Sequence, residues 1–413
     1  MHVVVVGGGV VGLCCARDLA AHGAEVTVLD TGAGPGVAGP ASAGWIVPVL
    51  SAPLSGPGVV PHSTRQFLGG RAPFSVHPAP PGRLVRWLWG FVRSGNAVRH
   101  RDGLRAMLDL GSRSVALFAK LKAAGLAFEM HETGLVLAAR TSEGLDEAVA
   151  LAEGAHDAGY DHAYEVHDGA ALRALEPALA AGLAGGVHAR GEAHVRPEQL
   201  LDALTRDVEG RVELRTGIAA RGIASGRGGV RVATSRGDLD ADRVIVAAGV
   251  WSGRLLRDLG VRVPLLPAGG YSLTAEGDGT APAHALKLVE PSLALAPFAD
   301  GVRIAGRFDL GRGTGAYSRG AVAQLLARTR EYLADWRPRQ PYLEYAGMRP
   351  ATSDSLPLIG RVPGHDGVFA ATGHGMLGLT LAPATAAALV PHVLGDAAPA
   401  VLAPFALDRF ARR

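Results

Sequence analysis

The first thirty residues contain a strand, a glycine-rich turn, a helix and a second strand in immediate succession, and this order strongly constrains the fold. Val3–Val6 is a continuous apolar, β-branched run, typical of a central strand in a parallel sheet covered on both faces. It leads into Gly7-Gly8-Gly9-Val10-Val11-Gly12, a helical segment from Val10 to His22, and a strand that ends at Asp30. The sequence therefore predicts an α/β fold with a Rossmann-like dinucleotide site at its N-terminus.

Each residue of this motif has a physical role in such a site. Gly7 permits the tight turn, Gly9 lets the backbone approach a pyrophosphate, and Gly12 lets the helix pack against the strand. Val10 and Val11 form the start of the helix, where the backbone N–H groups have no partner within the helix and can point toward the phosphates. Asp30 is suited to a ribose hydroxyl, which argues against a 2′-phosphate and hence against NADP. The motif alone leaves both FAD and NAD open.

A second pair of motifs lies more than three hundred residues away. Residues 347–360 read Gly-Met-Arg-Pro-Ala-Thr-Ser-Asp-Ser-Leu-Pro-Leu-Ile-Gly, and residues 372–378 read Thr-Gly-His-Gly-Met-Leu-Gly. Arg349 stands in a loop that Pro350 stiffens, and a guanidinium can hold a carboxylate with two parallel hydrogen bonds. The alternative is a structural arginine that bridges two loops.

Composition excludes several classes of protein. The 413 residues are 48% hydrophobic and 19% charged, as in an ordinary globular protein long enough for two domains. The net charge of +3 is small and scattered, and no basic run interleaved with aromatics suggests nucleic-acid binding. Cys14 and Cys15 are adjacent, so they indicate neither a disulfide framework nor a usual metal site, and small buried residues are expected there.

The remaining pattern predicts a split organisation. Residues 31–82 are rich in glycine, proline, alanine and serine, which favours a long ordered loop. Helices are expected over 83–92, 101–124, 142–158, 197–208 and 320–336. Strands are expected over 134–139, 212–216, 230–234, 244–248, 264–274 and 286–308. The apolar stretch 377–394 contains Pro383 and Pro391 and directly follows a glycine loop, so a buried helix is expected rather than a membrane span.

These motifs together resemble the FAD-dependent oxidoreductases of the D-amino-acid oxidase superfamily, and most of all the bacterial D-amino-acid dehydrogenases. The segments that carry the resemblance are Val3–Asp30, Ala41–Pro48, Trp87-Leu-Trp89, Gly270-Tyr-Ser-Leu-Thr274, Gly347–Gly360 and Thr372–Ala384. The resemblance implies a glutathione-reductase-type FAD-binding domain with an inserted substrate domain of antiparallel sheet plus helices. We expect residues 1–82, 190–262 and 345–413 in the first domain and residues 83–189 and 263–344 in the second.

The resemblance also assigns roles. Arg349 would bind the substrate carboxylate, and Tyr271 would line the substrate pocket, unless it is a buried structural tyrosine. Gly373, His374, Gly375, Met376 and Leu377 would open a helix toward the O2 edge of the flavin, where donors stabilise developing negative charge. Ser42, Ala43 and Gly44 would lie along the flavin ring. Ala248, Gly249 and Trp251 follow an apolar strand that ends where such a sheet closes over a dinucleotide.

The expected reaction is oxidative deamination of a D-amino acid to a 2-oxo acid and ammonia, with hydride transfer from the α-carbon to flavin N5. Alternatives are a 4-hydroxy-D-proline or D-proline dehydrogenase, a glycine- or sarcosine-type amine oxidase, and a flavoprotein subunit of an electron-transfer complex. A non-enzymatic NAD-binding module would leave the Arg-Pro loop idle.

The partners follow from the same resemblance. The electron acceptor, a quinone of the respiratory chain or oxygen, stays open. Residues 83–93 combine tryptophan, phenylalanine and arginine, which suits either a peripheral membrane contact or an amphipathic helix with its aromatic face in the core. The sequence starts directly with a strand, so a reduced, cytoplasmic protein without a signal peptide is expected. The histidines are scattered, and no metal site is expected.

Overall fold

The computed structural model describes residues 1–32, 36–57, 74–77, 81–226, 228–311 and 318–411. The helices are α1 (Val10–Ala21), α2 (Pro81–Ser94), α3 (Ala97–Gly111), α4 (Ser114–Ala123), α5 (Ser142–Asp157), α6 (Gly169–Leu175), α7 (Pro197–Val208), α8 (Ser252–Asp258), α9 (Arg319–Thr329) and α10 (Gly378–Leu394).

The first strands are β1 (His2–Val6), β2 (Glu25–Asp30), β3 (Trp45–Ile46), β4 (Phe74–Val76), β5 (Met130–His131), β6 (Leu135–Ala139), β7 (Tyr164–Asp168), β8 (Gly185–Ala189), β9 (Ala193–Val195), β10 (Glu213–Thr216), β11 (Ala220–Gly226) and β12 (Gly229–Thr234). The others are β13 (Gly237–Ala241), β14 (Arg243–Val246), β15 (Leu265–Ala275), β16 (Gly277–Asp278), β17 (Ala285–Leu288), β18 (Leu293–Phe298), β19 (Gly301–Leu310), β20 (Arg337–Pro338), β21 (Leu343–Thr352), β22 (Leu358–Val362) and β23 (His365–Thr372).

A six-stranded sheet in the order β10-β2-β1-β14-β23-β22 forms the dinucleotide half of the molecule. Its strands run parallel except for β22, which is antiparallel to β23. Val3 and Val5 pack on one face with α1, α7 and α10, whereas Val4 and Val6 pack on the other face with β11–β13 and α8. The apolar run of β1 is therefore buried on both sides, as its composition predicts.

A nine-stranded sheet forms the second half, in the order β21-β15-β19-β18-β17-β6-β8-β7, with β4 paired to β19. Most of its pairs are antiparallel, and the parallel ones are β17 with β6 and β4 with β19. One face carries an apolar core beneath α9, and part of the opposite face packs against α5. A short three-stranded sheet, β3-β9-β5, lies between the two halves.

Several predicted boundaries need correction. The helix predicted over 101–124 is two helices, because the chain turns at Ser112–Arg113 and both pieces then pack against α10. The helix predicted over 320–336 ends at Thr329, since the chain turns there and buries Tyr332 and Trp336 in the core beneath the sheet. The loop predicted over 31–82 contains β3, β4 and the start of α2, and parts of it lie outside the described residues.

The division into domains remains a proposal, and two features of the fold bear on it. The helices α3 and α4 belong to the proposed substrate segment 83–189, yet residues such as Met107 and Phe118 lie in the core cluster of α1 and α10. The strand β21 belongs to the nine-stranded sheet, although most of it falls in the proposed FAD segment 345–413. Each proposed segment therefore contributes elements to the other half of the molecule.

Candidate active site

A cavity of about 1930 Å³ runs from the glycine turn after β1 to Arg349 and His374 at the far end of the chain. This volume exceeds the several hundred cubic ångströms of a typical small-ligand pocket, so it suits a large cofactor together with a small substrate. The predicted site residues that line it are Gly7, Gly9, Val10, Val11, Asp30, Ser42, Ala43, Ala248, Gly249, Trp251, Arg349, His374, Gly375, Met376 and Leu377.

The glycine turn has the geometry of a phosphate cradle. Gly7 has φ +117°, and a Cβ there would lie 2.4 Å from the carbonyl oxygen of Ala247. A Cβ on Gly9 would meet nothing within 4 Å, so this backbone faces the open cavity. Gly9 also caps α1 without a side-chain hydrogen bond, which leaves the first N–H groups of the helix for a ligand.

Gly12 does not line the cavity but explains why α1 can pack so closely. A Cβ on Gly12 would lie 1.9 Å from the carbonyl oxygen of Gly7, so only glycine fits at this contact. The position of Gly12 therefore supports the role predicted from the motif, which is close packing of the helix against the strand.

Asp30 lies at the edge of the cavity at the end of β2. Its Oδ2 accepts a hydrogen bond from the Gly8 N–H and its Oδ1 accepts one from the Gly32 N–H, both at 2.6 Å. The carboxylate is thereby held next to the glycine turn, the position that a ribose-binding acid requires.

Ser42 and Ala43 line the cavity, whereas Gly44 in the same loop does not. Gly44 has φ +84°, and a Cβ there would lie 2.1 Å from the carbonyl oxygen of Val195. Gly44 thus lets the loop turn against β9 rather than contacting a ligand. Farther back, the Met348 N–H donates to the Gly36 carbonyl at 2.9 Å, which joins this loop to the strand of Arg349.

Arg349 lies on β21 with its guanidinium beside Gly270, where a Cβ would come within 2.1 Å of Nη1. Its hydrogen bonds to described residues both come from Nη1, to the carbonyl oxygens of Arg307 at 2.8 Å and Gly269 at 3.4 Å. Burial lowers the pKa of Arg349 to about 10, against the opposing effect of Asp309. The group stays cationic at neutral pH, and Nη2 and Nε, which have no hydrogen-bond partner in the part of the chain that the structure describes, could bind a carboxylate.

Arg307 supports Arg349 through its backbone. It has φ +67°, a strained conformation for a residue other than glycine, and its carbonyl oxygen accepts the stronger bond from Arg349. Its side chain lines the cavity and donates from Nη2 to Asp309 at 2.9 Å and from Nη1 to Gln324 at 2.8 Å.

The helix α10 begins later in the chain than the sequence predicted, because a turn precedes it. The residues Gly373–Met376 do not open the helix, because α10 begins at Gly378 with Leu377 as its N-cap. The Gly375 N–H donates to the Pro350 carbonyl at 3.1 Å, which ties the turn to β21, since Arg349 and Pro350 lie in this strand and not in the predicted loop. Gly373 has φ +75° and lies against Thr352 and Leu358 rather than in the cavity lining. The uncapped N–H groups that face the cavity are therefore those at Gly378, Leu379 and Thr380.

His374 is 4% exposed and lines the cavity, and its Nε2 lies 3.1 Å from the Thr385 hydroxyl on α10. Burial lowers its pKa to about 4, so the ring is neutral at physiological pH. This hydrogen bond anchors the turn to the helix, which favours a structural role for the side chain.

Tyr271 does not line the cavity, so its position favours the predicted alternative, a buried structural tyrosine, over a residue of the substrate pocket. It is 1% exposed and lies in the apolar core beneath the nine-stranded sheet with Leu325 and Trp336. The side chains of a strand alternate between its faces, so when Gly270 faces the cavity Tyr271 points to the other side.

Sequence reasoning missed Arg303 on β19, which holds the loop above the cavity. Its side chain is fully buried and Nη1 donates to the carbonyl oxygens of Pro40 at 2.9 Å and Ser42 at 3.1 Å. Nε donates to Thr274 at 2.9 Å, and Nη2 donates to Glu198. The signal was the one charge within the short apolar segment 302–305 of β19, since a buried charge requires partners.

Lys287 on β17 was missed in the same way. It is a lone charge within Ala285–Leu288, it lines the cavity, and burial lowers its pKa while Glu147 opposes the shift. The cavity therefore extends beyond Arg349 toward the first turns of α5.

The family description "FAD dependent oxidoreductase" (DAO) matches residues 2–391 of this chain. A D-amino acid dehydrogenase of Methylobacterium radiotolerans is 32% identical, with the whole of both chains covered. A D-amino acid dehydrogenase of Methylobacterium nodulans is 30% identical over 96% of each chain. The solved structure of a glycine oxidase from Geobacillus kaustophilus has a TM-score of 0.76 at 23% identity and covers 99% of each chain.

The chain therefore belongs to the FAD-dependent oxidoreductase family, and FAD is its cofactor. The open backbone at Gly9, the carboxylate of Asp30 and the uncapped start of α10 fit the pyrophosphate, ribose and flavin parts of this group. The protein is an FAD-dependent enzyme with a mixed α/β fold, as predicted from the sequence.

Proposed function

We propose that this enzyme catalyses the oxidative deamination of D-amino acids to 2-oxo acids and ammonia. The observation that carries the proposal is the desolvated, cationic guanidinium of Arg349 in the wall of the flavin cavity. The full-length relatives named D-amino acid dehydrogenase support the substrate class.

Arg349 would bind the substrate carboxylate through Nη2 and Nε, since Nη1 already donates to the carbonyls of Arg307 and Gly269. Two parallel hydrogen bonds fix both the position and the rotation of a carboxylate, and thereby the direction in which the Cα–H bond points. When bound, FAD would supply the two-electron acceptor: the substrate would lose the Cα hydrogen as hydride and a proton from its nitrogen to give an imino acid, which water would hydrolyse to a 2-oxo acid and ammonia.

The start of α10 supports the same chemistry. The uncapped N–H groups at Gly378–Thr380 and the positive end of the helix dipole favour negative charge in the cavity. His374 is neutral and bonded to Thr385, so it would hold this turn rather than transfer a proton.

A direct test measures both products with a dye as electron acceptor. D-alanine should yield 2-oxo acid and ammonia in equal amounts, whereas L-alanine should yield neither. D-proline, 4-hydroxy-D-proline, glycine and sarcosine are parallel arms, and a strong preference for one of them would replace the proposed substrate class. A flavin-loaded protein inactive with every substrate would instead favour a subunit of an electron-transfer complex.

We propose in addition that α2 contacts an anionic membrane surface, where a lipid-soluble electron acceptor would be available. The helix exposes apolar side chains next to arginines 83, 86 and 93, and these are Val85, Leu88, Trp89 and Val92. Leu88 and Val92 also line the cavity, so this surface adjoins the active site. Among the described residues, no helix combines the length and apolar character needed to cross a membrane.

A further inference from the structure

Three potential metal ligands meet at the outer edge of the nine-stranded sheet, in a region for which the sequence predicted no metal site. The strand β7 is the edge strand, and Glu165 and His167 lie two residues apart on it, so both side chains point to the same face. His188 on β8 is the direct cross-strand partner of Glu165. One potential ligand atom from each of the three residues lies within 4.8 Å of the others.

The separation of two of these atoms matches a metal-binding geometry. His167 Nε2 lies 3.5 Å from Glu165 Oε2. Two ligands of a tetrahedral zinc ion at bond lengths of about 2.0–2.2 Å are about 3.3–3.6 Å apart. A side-chain rotation on the edge strand would close the remaining distance to the third ligand.

The burial of this ring nitrogen of His167 provides a second observation. His167 Nε2 is inaccessible to solvent and has no hydrogen-bond partner among the described residues. A buried polar atom without a hydrogen-bond partner destabilises the fold, and a bound metal ion would supply a partner for this nitrogen. The expected absence of metal rested on the scattered positions of histidines along the sequence, and strand pairing brings two of them together.

The neighbouring groups are consistent with ligand roles for His188 and Glu165. His188 is 8% exposed, and its Nε2 lies 3.3 Å from the carbonyl oxygen of Thr133. When Nε2–H donates to this carbonyl, Nδ1 keeps its lone pair, and such a hydrogen bond is the usual companion of a metal-bound imidazole. Arg190 donates to Glu165 Oε1 at 2.5 Å, so the other carboxylate oxygen faces His167.

We propose that Glu165, His167 and His188 form a site for a divalent transition-metal ion of the Zn²⁺ class that joins β7 to β8. Two imidazoles and one carboxylate favour such an ion over Mg²⁺ or Ca²⁺, which prefer oxygen ligands. None of the three residues lines the flavin cavity, so the ion stabilises the sheet edge and takes no part in the oxidation of substrate.

The test uses the FAD-loaded enzyme without a histidine tag, stripped of metal and then titrated with zinc chloride. Calorimetry gives affinity and stoichiometry, and thermal unfolding gives the shift in Tm. Wild type should bind one zinc ion per chain and gain thermal stability, while its rate of substrate oxidation stays unchanged. Glu165→Gln and His167→Gln should each weaken binding at least about tenfold, because each removes one of three ligands.

His156→Gln is the matched control. His156 is an exposed histidine on α5, and its ring lies 6.3 Å from the ring of Tyr164, which is on β7 next to the proposed ligands. This variant should bind zinc as wild type does. His188 is buried and its variants risk misfolding, so the test relies on the two edge-strand residues. Equal binding by wild type and a Glu165→Gln/His167→Gln double variant would overturn the proposal, as would the absence of saturable binding to a folded wild-type protein.

Discussion

The proposed chemistry depends more on Arg349 than on any other residue, because its guanidinium would hold the substrate carboxylate. Arg349→Lys keeps a positive charge but loses the planar fork that holds a carboxylate with two bonds. We expect KM for a D-amino acid to rise about 10- to 100-fold, the equivalent of losing one charged hydrogen bond. Steady-state kinetics check this, with Arg361→Lys, an exposed arginine on β22, as the control. An unchanged KM would remove Arg349 from the substrate site.

Gly270 gives a test of the same site without removal of any charge. A Cβ at this position would lie 2.1 Å from Arg349 Nη1 and 2.4 Å from Nη2, so the guanidinium must shift. Gly270→Ala should therefore raise KM while FAD binding stays normal, and the two are separated by kinetics and by flavin titration. Normal kinetics in this variant would mean that the position of Arg349 is not critical.

His374 makes stability depend on pH. Burial lowers its folded-state pKa from the usual 6.5 to about 4, so between these values only the unfolded chain binds the proton. Its contribution is fully present above pH 6.5 and is lost as pH falls toward 4, by up to roughly 3 kcal/mol. His374→Gln should flatten this part of the pH profile of unfolding free energy, measured by urea denaturation. The same slope in variant and wild type would contradict the buried, neutral state.

Of the individual residues of the candidate site, the sequence identified those that stand in a local motif. The sequence predicts site roles for Asp30 and Arg349 because each stands at a fixed place in a motif, and the structure places both in the cavity lining. Tyr271 was misplaced, since the face of a long strand cannot be assigned without its register. Arg303 and Lys287 were missed, because their partners come from loops and helices far away in sequence.

The first helix and its glycine turn permit a paired test at the scale of one element. Gly12→Ala places a Cβ 1.9 Å from the Gly7 carbonyl and should destabilise the fold by about 1–3 kcal/mol or more. Gly9→Ala places a Cβ in open cavity space, so the protein should stay folded but bind FAD more weakly. Urea denaturation of the FAD-free protein and titration with FAD distinguish the two effects. Equal losses of stability would contradict the assigned roles.

Arg303 on β19 holds the loop that contains Pro40 and Ser42, so its substitution should weaken FAD binding. Arg303→Lys cannot bond to both of these carbonyls and to Thr274 and Glu198 at once. We expect FAD affinity to fall about tenfold, because the loop loses its support next to the cofactor. Arg17→Lys, which alters a half-buried ion pair with Asp207, is the control. Lower stability with unchanged FAD affinity would limit Arg303 to a structural role.

Elements defined by local signals were predicted well. The helix over 197–208 has the predicted bounds, since proline marks its first turn and the apolar period is clear. The break between α3 and α4 was not predicted, because the periodic pattern continues through Ser112 and Arg113. That break depends on packing against α10, which the local sequence does not contain.

On the scale of the whole molecule, the exposed face of α2 predicts binding to anionic vesicles. Wild type should sediment with phosphatidylglycerol vesicles at low salt and less so as salt rises, since arginines contribute to binding. Trp89→Glu should abolish sedimentation, because Trp89 is 62% exposed in the apolar face. Leu343→Glu, at another exposed apolar position, is the control. Absence of wild-type binding at low salt would refute the membrane contact.

The assembly of the site from both sheets means that cofactor and substrate chemistry must be tested together. The decisive measurement is the absorption spectrum of the purified protein during anaerobic addition of D-alanine and, separately, of L-alanine. We expect that D-alanine alone bleaches the flavin band, and that Arg349→Lys requires much more substrate to do so. A flavin band that no D-amino acid bleaches, or one that L-alanine bleaches equally, would contradict the proposed function.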